Sequence, residues 1–205
     1  MDKEKCIVVL YHDNCPDGFG AAFAFWTKYG DSAEYIPVRH GEPPPIFKNK
    51  FIYIVDFSYS LNDINKIMKD NSVLIIDHHV SAYKELGPLD NYIYNPNMSG
   101  ATLCWQYLYN NESPMLLRYI EDRDLWKFKL PNSKEILGAV DSYKKSFTVW
   151  KNLMDRLRHG DGDEFLKEGE SILRYKNQKI NELLTKKFRI NIINHNVPCI
   201  NSPIF

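Results

Sequence analysis

The sequence predicts an α/β fold in which a parallel sheet carries helices on both faces. Short apolar runs rich in β-branched and aromatic residues alternate with segments of helical spacing over the first half of the chain. The runs are almost continuously apolar, which is typical of strands that are covered on both sides in a parallel sheet. Strand–helix–strand alternation is the pattern of the α/β class.

The first half contains four predicted strands and two predicted helices. The strands are Cys6–Tyr11, Ala33–Val38, Phe51–Val55 and Val73–Ile76, and the helices are Gly20–Tyr29 and Leu61–Asp70. The second helix follows Ser60 and has Asp63 in its first turn, which is typical of a helix N-terminus.

The second half is predicted to be helical, with a short β hairpin at its end. The predicted helices are Gly100–Tyr109, Met115–Arg123, Phe147–Arg158 and about Glu164–Phe188. The last of them carries an apolar stripe on one face. Residues 189–205 indicate a strand, a turn and a second short strand.

Composition narrows the class of function. The 205 residues carry 26 Lys and Arg against 26 Asp and Glu, so no overall positive field exists to hold a long nucleic acid duplex. A small phosphate ester or a short oligonucleotide is compatible with this neutrality. The four cysteines form no CxxC pair, which argues against a zinc ribbon or a disulfide framework and predicts reduced thiols in the cytoplasm. The apolar runs are short and residues 1–5 are charged, so we expect neither a membrane span nor a signal peptide.

Three predicted strands end in carboxylates, and two of these also carry histidine there. The first strand is followed by His12, Asp13 and Asp17, the third by Asp56, and the fourth by Asp77, His78 and His79. Ligands of open α/β sheets bind at the carboxyl ends of strands, so these side chains are expected to converge. Clustered carboxylates raise one another's pKa unless a cation relieves the repulsion. Oxygen ligands with some imidazole favour manganese over zinc.

Each of these residues, taken alone, is more simply explained by a structural role than by metal binding. An aspartate after a strand is usually a turn former or a helix cap, and a lone histidine is usually a hydrogen-bonded structural residue. An adjacent histidine pair directly after an aspartate is harder to explain in this way. The three strand ends together therefore favour a metal site.

The motifs resemble those of a known enzyme superfamily, the DHH phosphoesterases. The sequence Asp77-His78-His79 after an apolar strand is similar to the signature that names it. The superfamily includes RecJ-type exonucleases, nanoRNA and cyclic-dinucleotide phosphodiesterases, manganese inorganic pyrophosphatases and exopolyphosphatases. The other motifs are matched in the family's order by His12, Asp13 and Asp17, then by Asp56, and then by Asp122 or Asp124. The resemblance covers roughly residues 6–128.

The resemblance implies a manganese-dependent hydrolase with two ions, for which magnesium or cobalt could substitute. One ion would be held by His12, Asp13 and Asp56, and the other by Asp17, Asp56, His78 and Asp122. Asp13 and Asp17 are separated by three residues where the family usually has one, so either His12 or Asp13 is the outer ligand. Asp77 would orient His78 or His79, and His79 would face the phosphate as donor or general acid. Two such ions lower the pKa of a shared water and stabilise charge on the attacking and leaving oxygens.

Substrate contacts are expected around the fourth motif and at the start of the Gly100–Tyr109 helix. Ser99 and Gly100 would offer backbone N–H groups to a phosphate, with a plain helix cap as an equal alternative. Arg123 would clamp phosphate, although a structural salt bridge is favoured, and Asp124 is a further candidate contact. Trp126 could stack a base, although core packing is favoured.

The favoured function is a phosphodiesterase acting on short oligonucleotides or dinucleotides. One alternative is a phosphoanhydride hydrolase of the pyrophosphatase or exopolyphosphatase type, and another is a metal- or nucleotide-binding module without turnover. The expected domains are a DHH-type catalytic domain at 1–130, a helical extension at 131–188, and short strands at 189–205 that would begin a truncated second domain. The family's usual second domain, with its glycine- and histidine-rich substrate motif, has no complete match in these residues. The apolar stripe of the long helix would suit a homodimer.

Overall fold

The computed structural model describes residues 6–159 and 162–202, and within these ranges five parallel strands form one sheet in the order β2-β1-β3-β4-β5. The strands are β1 (Ile7–His12), β2 (Ala33–Val38), β3 (Phe51–Val55), β4 (Ser72–Asp77) and β5 (Tyr92–Tyr94). The predicted α/β class, the parallel sheet and the terminal hairpin are confirmed. The charged residues 1–5 lie outside the described ranges, and so do residues 203–205 of the predicted segment 189–205.

Helices fill the connections between the strands and most of the second half of the described chain. They are α1 (Pro16–Tyr29), α2 (Leu61–Met68), α3 (Val80–Leu86), α4 (Gly100–Tyr109), α5 (Met115–Asp124), α6 (Ser133–Ser142), α7 (Phe147–His159) and α8 (Gly162–Leu184). An antiparallel hairpin of β6 (Phe188–Ile192) and β7 (His195–Cys199) follows. The sequence did not predict α3, β5 or α6, and it placed the start of α1 four residues too late, because Pro16 is the first residue of that helix.

The sheet has a hydrophobic core on each face. Successive residues of β1 point to opposite sides, so Val9 joins one core while Val8 and Leu10 join the other. The larger core contains the buried faces of α1, α4, α5, α6 and α7, and the smaller one contains those of α2 and α3. Phe19 of α1 stacks on Phe147 at 5.0 Å and meets Trp150 edge-on at 4.8 Å, so α7 shares the core of the sheet. The domain boundaries at 130 and 188 stay predictions.

The last helix is buried only where it meets α6. Its buried residues are Phe165 and Gly169, and Gly138 of α6 lies against Leu173. The second half of α8 and the hairpin are exposed, including Tyr175, Leu184, Phe188, Ile190, Ile192 and Ile193. None of the helices in the described part of the chain is long and apolar enough to cross a membrane.

Strand order and register bring three strand ends together. Val55 of β3 pairs with Tyr11 of β1 on one side and with Ile76 of β4 on the other. The residues that follow these three positions therefore leave the sheet side by side at its carboxyl edge. The N-terminus of α4 packs against the same edge, because a Cβ added to Gly100 would lie 2.5 Å from the Cβ of Asp56.

Candidate metal centre

Carboxylates, imidazoles and one thiol converge at the carboxyl edge of the sheet. They form three overlapping groups, in each of which one ligand atom per residue lies within 4.8 Å of the others. The groups are Asp56–Asp77–His78–His79, His12–Cys15–Asp56 and Asp17–His78–Asp124. Asp56 and His78 each belong to two groups, so the eight residues form one continuous set, which we call the His–Asp cluster. The cluster could hold metal ions.

Asp56 lies at the middle of the cluster. Its side chain is 2% exposed, with Oδ1 3.2 Å from Nε2 of His78 and Oδ2 3.9 Å from Nδ1 of His12. Neither carboxylate oxygen receives a hydrogen bond from the described residues. Burial, and next the charge of Asp17, raise the pKa of Asp56 well above its ordinary value. A buried carboxylate with both oxygens unpaired is costly, and a cation between the two flanking histidines would relieve that cost.

The start of α4 leaves no space for a side chain beside Asp56. A Cβ on Gly100 would lie 2.5 Å from the Cβ of Asp56 and 2.7 Å from its Oδ1. Asp56 itself has φ +52°, an uncommon conformation for a non-glycine residue, so its backbone is held in place by its surroundings. Gly100 is therefore a structural requirement of the cluster.

Replacing Gly100 by Ala is expected to weaken both the cluster and the fold. The added methyl group must displace Asp56 or the first turn of α4, at a cost of about 1–3 kcal/mol in unfolding free energy. Displacement of Asp56 should lower Mn²⁺ affinity at least about tenfold, measured by isothermal titration calorimetry. Gly162→Ala is the matched control, because an added Cβ there meets nothing within 4 Å. Unchanged Mn²⁺ affinity in Gly100→Ala would show that the close contact does not position Asp56.

Asp17 is buried in the first turn of α1 and is held by the N-terminus of α4. Its Oδ2 accepts a hydrogen bond from the amide of Gly100 at 2.6 Å, and its Oδ1 accepts one from Ala101 at 3.0 Å. These donors stabilise an ionised carboxylate. Oδ2 also lies 3.7 Å from Nε2 of His78, which places Asp17 in the cluster.

The same hydrogen bonds correct one prediction about substrate binding. The N–H groups of α4 expected to meet a phosphate point at Asp17 instead. Ser99 is fully buried, and its own amide donates to Glu121 at 3.2 Å. Ser99 and Gly100 therefore have structural roles at this position, and these hydrogen bonds do not support the prediction that both bind substrate.

Asp77 fixes the geometry of the two histidines that follow it. Its Oδ1 accepts hydrogen bonds from the backbone amides of His78 at 2.8 Å and His79 at 3.3 Å, and it lies 2.6 Å from Nδ1 of His79. The hydrogen bond to Asp77 raises the pKa of His79. Burial lowers the pKa of His78 despite the nearby charge of Asp17. His78 is thus favoured as the neutral imidazole that a metal needs, and His79 as a proton donor.

Asp122 and Asp124 have different surroundings, and these decide between them. Asp122 turns away from the cluster: its Oδ1 accepts from the amide of Lys129 at 2.8 Å and its Oδ2 from that of Leu130 at 3.2 Å. Asp124 has its Oδ2 3.6 Å from Nε2 of His78. Burial and the charge of Asp17 raise the pKa of Asp124 to about 6. The placement of Asp122 as a metal ligand and of Asp124 as a substrate contact is therefore corrected: Asp124 is the member of the cluster.

Asp13 and His12 also have different surroundings. Asp13 pairs with Arg39, whose Nε lies 2.7 Å from Oδ2, and its Oδ1 accepts from the amide of Asn14. The hydrogen bond from Arg39 lowers the pKa of Asp13. Asp13 is outside the cluster, whereas His12 lies inside it beside Asp56. The assignment of Asp13 as a ligand is thus corrected to an ion-pair partner of Arg39.

Each of two residues near the fourth motif had two predicted roles. Arg123 donates two hydrogen bonds to Asp141, at 2.7 and 3.1 Å, so the salt bridge favoured by the sequence is formed and its assignment as a phosphate clamp is not supported. Trp126 is 83% exposed, so the favoured core role of this residue is wrong.

Two residues at the site were not predicted. Cys15 is half-buried and has its sulfur among the ligand atoms of His12 and Asp56. His40 follows β2, and its ring lies 5.2 Å from that of His12. A signal existed for both: Cys15 lies in the turn that begins α1, and His40 lies just beyond the end of the strand next to β1.

The sequence has a relative in a virus. It is 32% identical over 175 residues to Uncharacterized protein R106 of Acanthamoeba polyphaga mimivirus, and the match covers 76% of this chain and 42% of that protein. The chain thus spans less than half the length of this relative. No family model matches the sequence.

Two solved structures are similar to the fold. An uncharacterized protein from Helicobacter pylori G27 matches with a TM-score of 0.61 and 10% identity, over 82% of this chain and 61% of that one. RecJ in complex with Mn²⁺ from Thermus thermophilus matches with a TM-score of 0.40 and 13% identity, over 88% of this chain and 36% of that one. The first similarity supports the fold alone, and the second is too distant to support an argument.

Proposed function

We propose that this chain is a manganese-dependent phosphoester hydrolase that binds two ions and cleaves short nucleotide substrates. The observation that carries the proposal is Asp56, a buried carboxylate that accepts no hydrogen bond from the described residues and has one oxygen facing His78 and the other facing His12. A single carboxylate between two imidazoles is suited to lie between two cations. The motif resemblance to DHH phosphoesterases, carried by Asp56 and Asp77-His78-His79, supports the same function.

The donor set fits hard divalent ions with some preference for imidazole. One ion would be held by His12 and Asp56 beside the thiol of Cys15. The other would be held by Asp17, His78 and Asp124, with Asp56 3.2 Å from His78 as a shared ligand. When bound, such ions lower the pKa of water and stabilise negative charge on phosphoryl oxygens. Mg²⁺ or Co²⁺ could substitute for Mn²⁺.

The protein's own residues would orient the substrate and move the proton. Asp77 holds Nδ1 of His79, which leaves Nε2 as the ring nitrogen that can meet a substrate. The side chain of His79 is 43% exposed, whereas that of His78 is 10% exposed. His79 would therefore donate its proton to the leaving oxygen, while His78 stays a ligand.

Turnover with a generic diester tests the proposal. Purified protein with Mn²⁺ is expected to release nitrophenolate from bis(4-nitrophenyl) phosphate, and chelation of the metal is expected to stop the reaction. Pyrophosphate serves as the parallel substrate, because faster phosphate release from it would favour the phosphoanhydride alternative. Binding of Mn²⁺ without turnover of either compound would favour a non-catalytic module.

Substitution of His12 and of Asp13 tests which of the two residues is the outer metal ligand. His12→Ala removes a cluster residue and is expected to lower Mn²⁺-dependent kcat/KM at least about 100-fold. Asp13→Ala removes the partner of Arg39 outside the cluster, and its effect is expected to stay within about tenfold. Initial rates with the generic diester measure both. A larger loss in Asp13→Ala than in His12→Ala would reverse the assignment of the outer ligand.

A further inference from the structure

An exposed tryptophan follows a member of the His–Asp cluster closely in the chain. Trp126 follows Asp124 by two residues, and two residues of chain span at most about 7 Å. Its side chain lies on the surface, with 83% of the residue exposed. A tryptophan with no place in the core exposes a large apolar area to water, and it is attached here within reach of the proposed reaction centre.

The loop that carries Trp126 is held rigidly by Asp122. The backbone carbonyl of Asp122 accepts hydrogen bonds from the amides of Lys127 and Phe128, and its carboxylate accepts those of Lys129 and Leu130. Four consecutive amide groups are thus bound to one residue of α5. A ring on such a loop keeps a fixed position, so it would lose little conformational entropy when a ligand binds.

The backbone around Trp126 is also held in an uncommon conformation by its surroundings. Trp126 has φ +53° and Phe128 has φ +45°, values that are uncommon for bulky residues and that persist only where the surroundings determine them. The Nζ of Lys127 donates to the carbonyl of Asn97 at 3.3 Å and to Glu121 at 3.1 Å. Glu121 in turn accepts the amide of Ser99, so the loop is tied to the same wall of the site as the start of α4.

Phe128 supports the indole without covering it. The two rings meet edge-to-face, with centroids 5.8 Å apart at 79°. Phe128 also lies under the ammonium group of Lys134, at 5.5 Å from Nζ. A perpendicular contact covers at most one face of the indole, and with 83% of the residue exposed at least one face stays open for a planar ring.

We propose that Trp126, supported by Phe128, stacks the base of a nucleotide whose phosphate lies at the His–Asp cluster. This inference rests on the proposed function and assigns the residue that would contact the base of its nucleotide substrate. In a nucleotide a sugar separates the base from the phosphate, which suits an aromatic ring two residues from a cluster member. Inorganic polyphosphates have no group that could use Trp126.

Binding of two ligands that differ only in the base tests this inference. Adenosine 5′-monophosphate and ribose 5-phosphate are titrated into the full chain with Mn²⁺ by isothermal titration calorimetry. The wild type is expected to bind the nucleotide roughly 5- to 100-fold more tightly, which is the range of base–aromatic stacking. In Trp126→Ala this preference should fall towards 1, while the affinity for ribose 5-phosphate stays unchanged. Trp126→Phe should keep part of the preference.

Tyr175→Ala is the matched control, since Tyr175 is an aromatic residue of α8 that is 62% exposed; it should keep the full preference. The inference is overturned if Trp126→Ala retains the preference, if it loses affinity for both ligands equally, or if the wild type prefers neither. A change of mass in light scattering with the preference intact would mean that the ring contacts a second copy instead. Because the readout is binding, a protein that prefers the nucleotide but cleaves no ester would contradict the proposed function and leave the stacking site standing.

Discussion

Replacing Asp56 by Asn is expected to abolish manganese-dependent hydrolysis and, at the same time, to make the metal-free protein more stable. Even the partners that orient metal ligands change activity by about 10–100-fold when removed, so loss of the residue that faces both histidines should exceed about 100-fold. The carboxylate is buried and accepts no hydrogen bond within the part of the chain that the structure describes, so its negative charge destabilises the metal-free fold. Asn removes that charge at nearly the same volume.

The direction of the pH dependence follows from the raised pKa of Asp56. The folded metal-free protein holds this proton more tightly than the unfolded chain does. The contribution of Asp56 to stability is therefore lost as the pH rises from the unfolded value of about 3.9 through the folded pKa. Asp56→Asn has no such loss, so at neutral pH the metal-free variant should be more stable than the metal-free wild type.

With Mn²⁺ bound, the wild type should become more stable than Asp56→Asn. A ligand that binds only the folded state at 100 times its Kd adds about 2.7 kcal/mol. Urea unfolding with chelator and with Mn²⁺ measures both directions in one experiment, and Asp90→Asn, an exposed carboxylate remote from the cluster, is the control. If the metal-free Asp56→Asn protein is less stable than the wild type, or if the variant keeps its activity, Asp56 is not the centre of the site.

The sequence alone was sufficient to predict the position of the cluster residues that lie at a strand end. Asp56, Asp77 and His78 come directly after buried strands, so the parallel sheet alone brings them together. The cluster members on helices or turns were less certain. Asp17 lies in the first turn of a helix that the sequence places too late, and Cys15 precedes it.

The errors arose where two similar side chains lie close together along a helix end. Asp122 and Asp124 are two residues apart, and two residues on a helix do not share a face. Which of them faces the sheet depends on the rotation of α5, and that rotation is set by packing against α4 and α6 rather than by local pattern. The same applies to Ser99 and Gly100, because no sequence pattern shows that Asp17 occupies the N–H groups of α4.

Short elements were missed for a related reason. Helix α3 has seven residues and β5 has three, which is too short for a periodic pattern to stand out. Trp126 was assigned to the core because tryptophan is usually buried on average. Its position depends on the hydrogen bonds that Asp122 makes to the following loop, and these long-range contacts leave no pattern in the sequence.

The contrasting roles of Asp122 and Asp124 lead to the second large expected effect. Asp124→Asn should lower Mn²⁺-dependent kcat/KM at least about 100-fold. It should leave the unfolding free energy of the metal-free protein unchanged or slightly higher, because burial raises the pKa of Asp124 to about 6. Asp122→Ala should do the opposite. It removes a buried acceptor of two amide hydrogen bonds, at a cost of about 3–6 kcal/mol, since hydrogen bonds to charged groups contribute about 1.5–3 kcal/mol each.

Chemical unfolding and initial rates with the generic diester, at a temperature where both variants are folded, separate the two effects. Asp122→Ala should then keep its Mn²⁺ affinity and stay within about tenfold of the wild-type rate, since its carboxylate points at the loop after α5 and not at His78. Asp124→Asn should be stable and inactive, since its carboxylate faces His78. A stable, inactive Asp122→Ala beside an active Asp124→Asn would instead place Asp122 at the metal, and it would require α5 to be rotated from the orientation described.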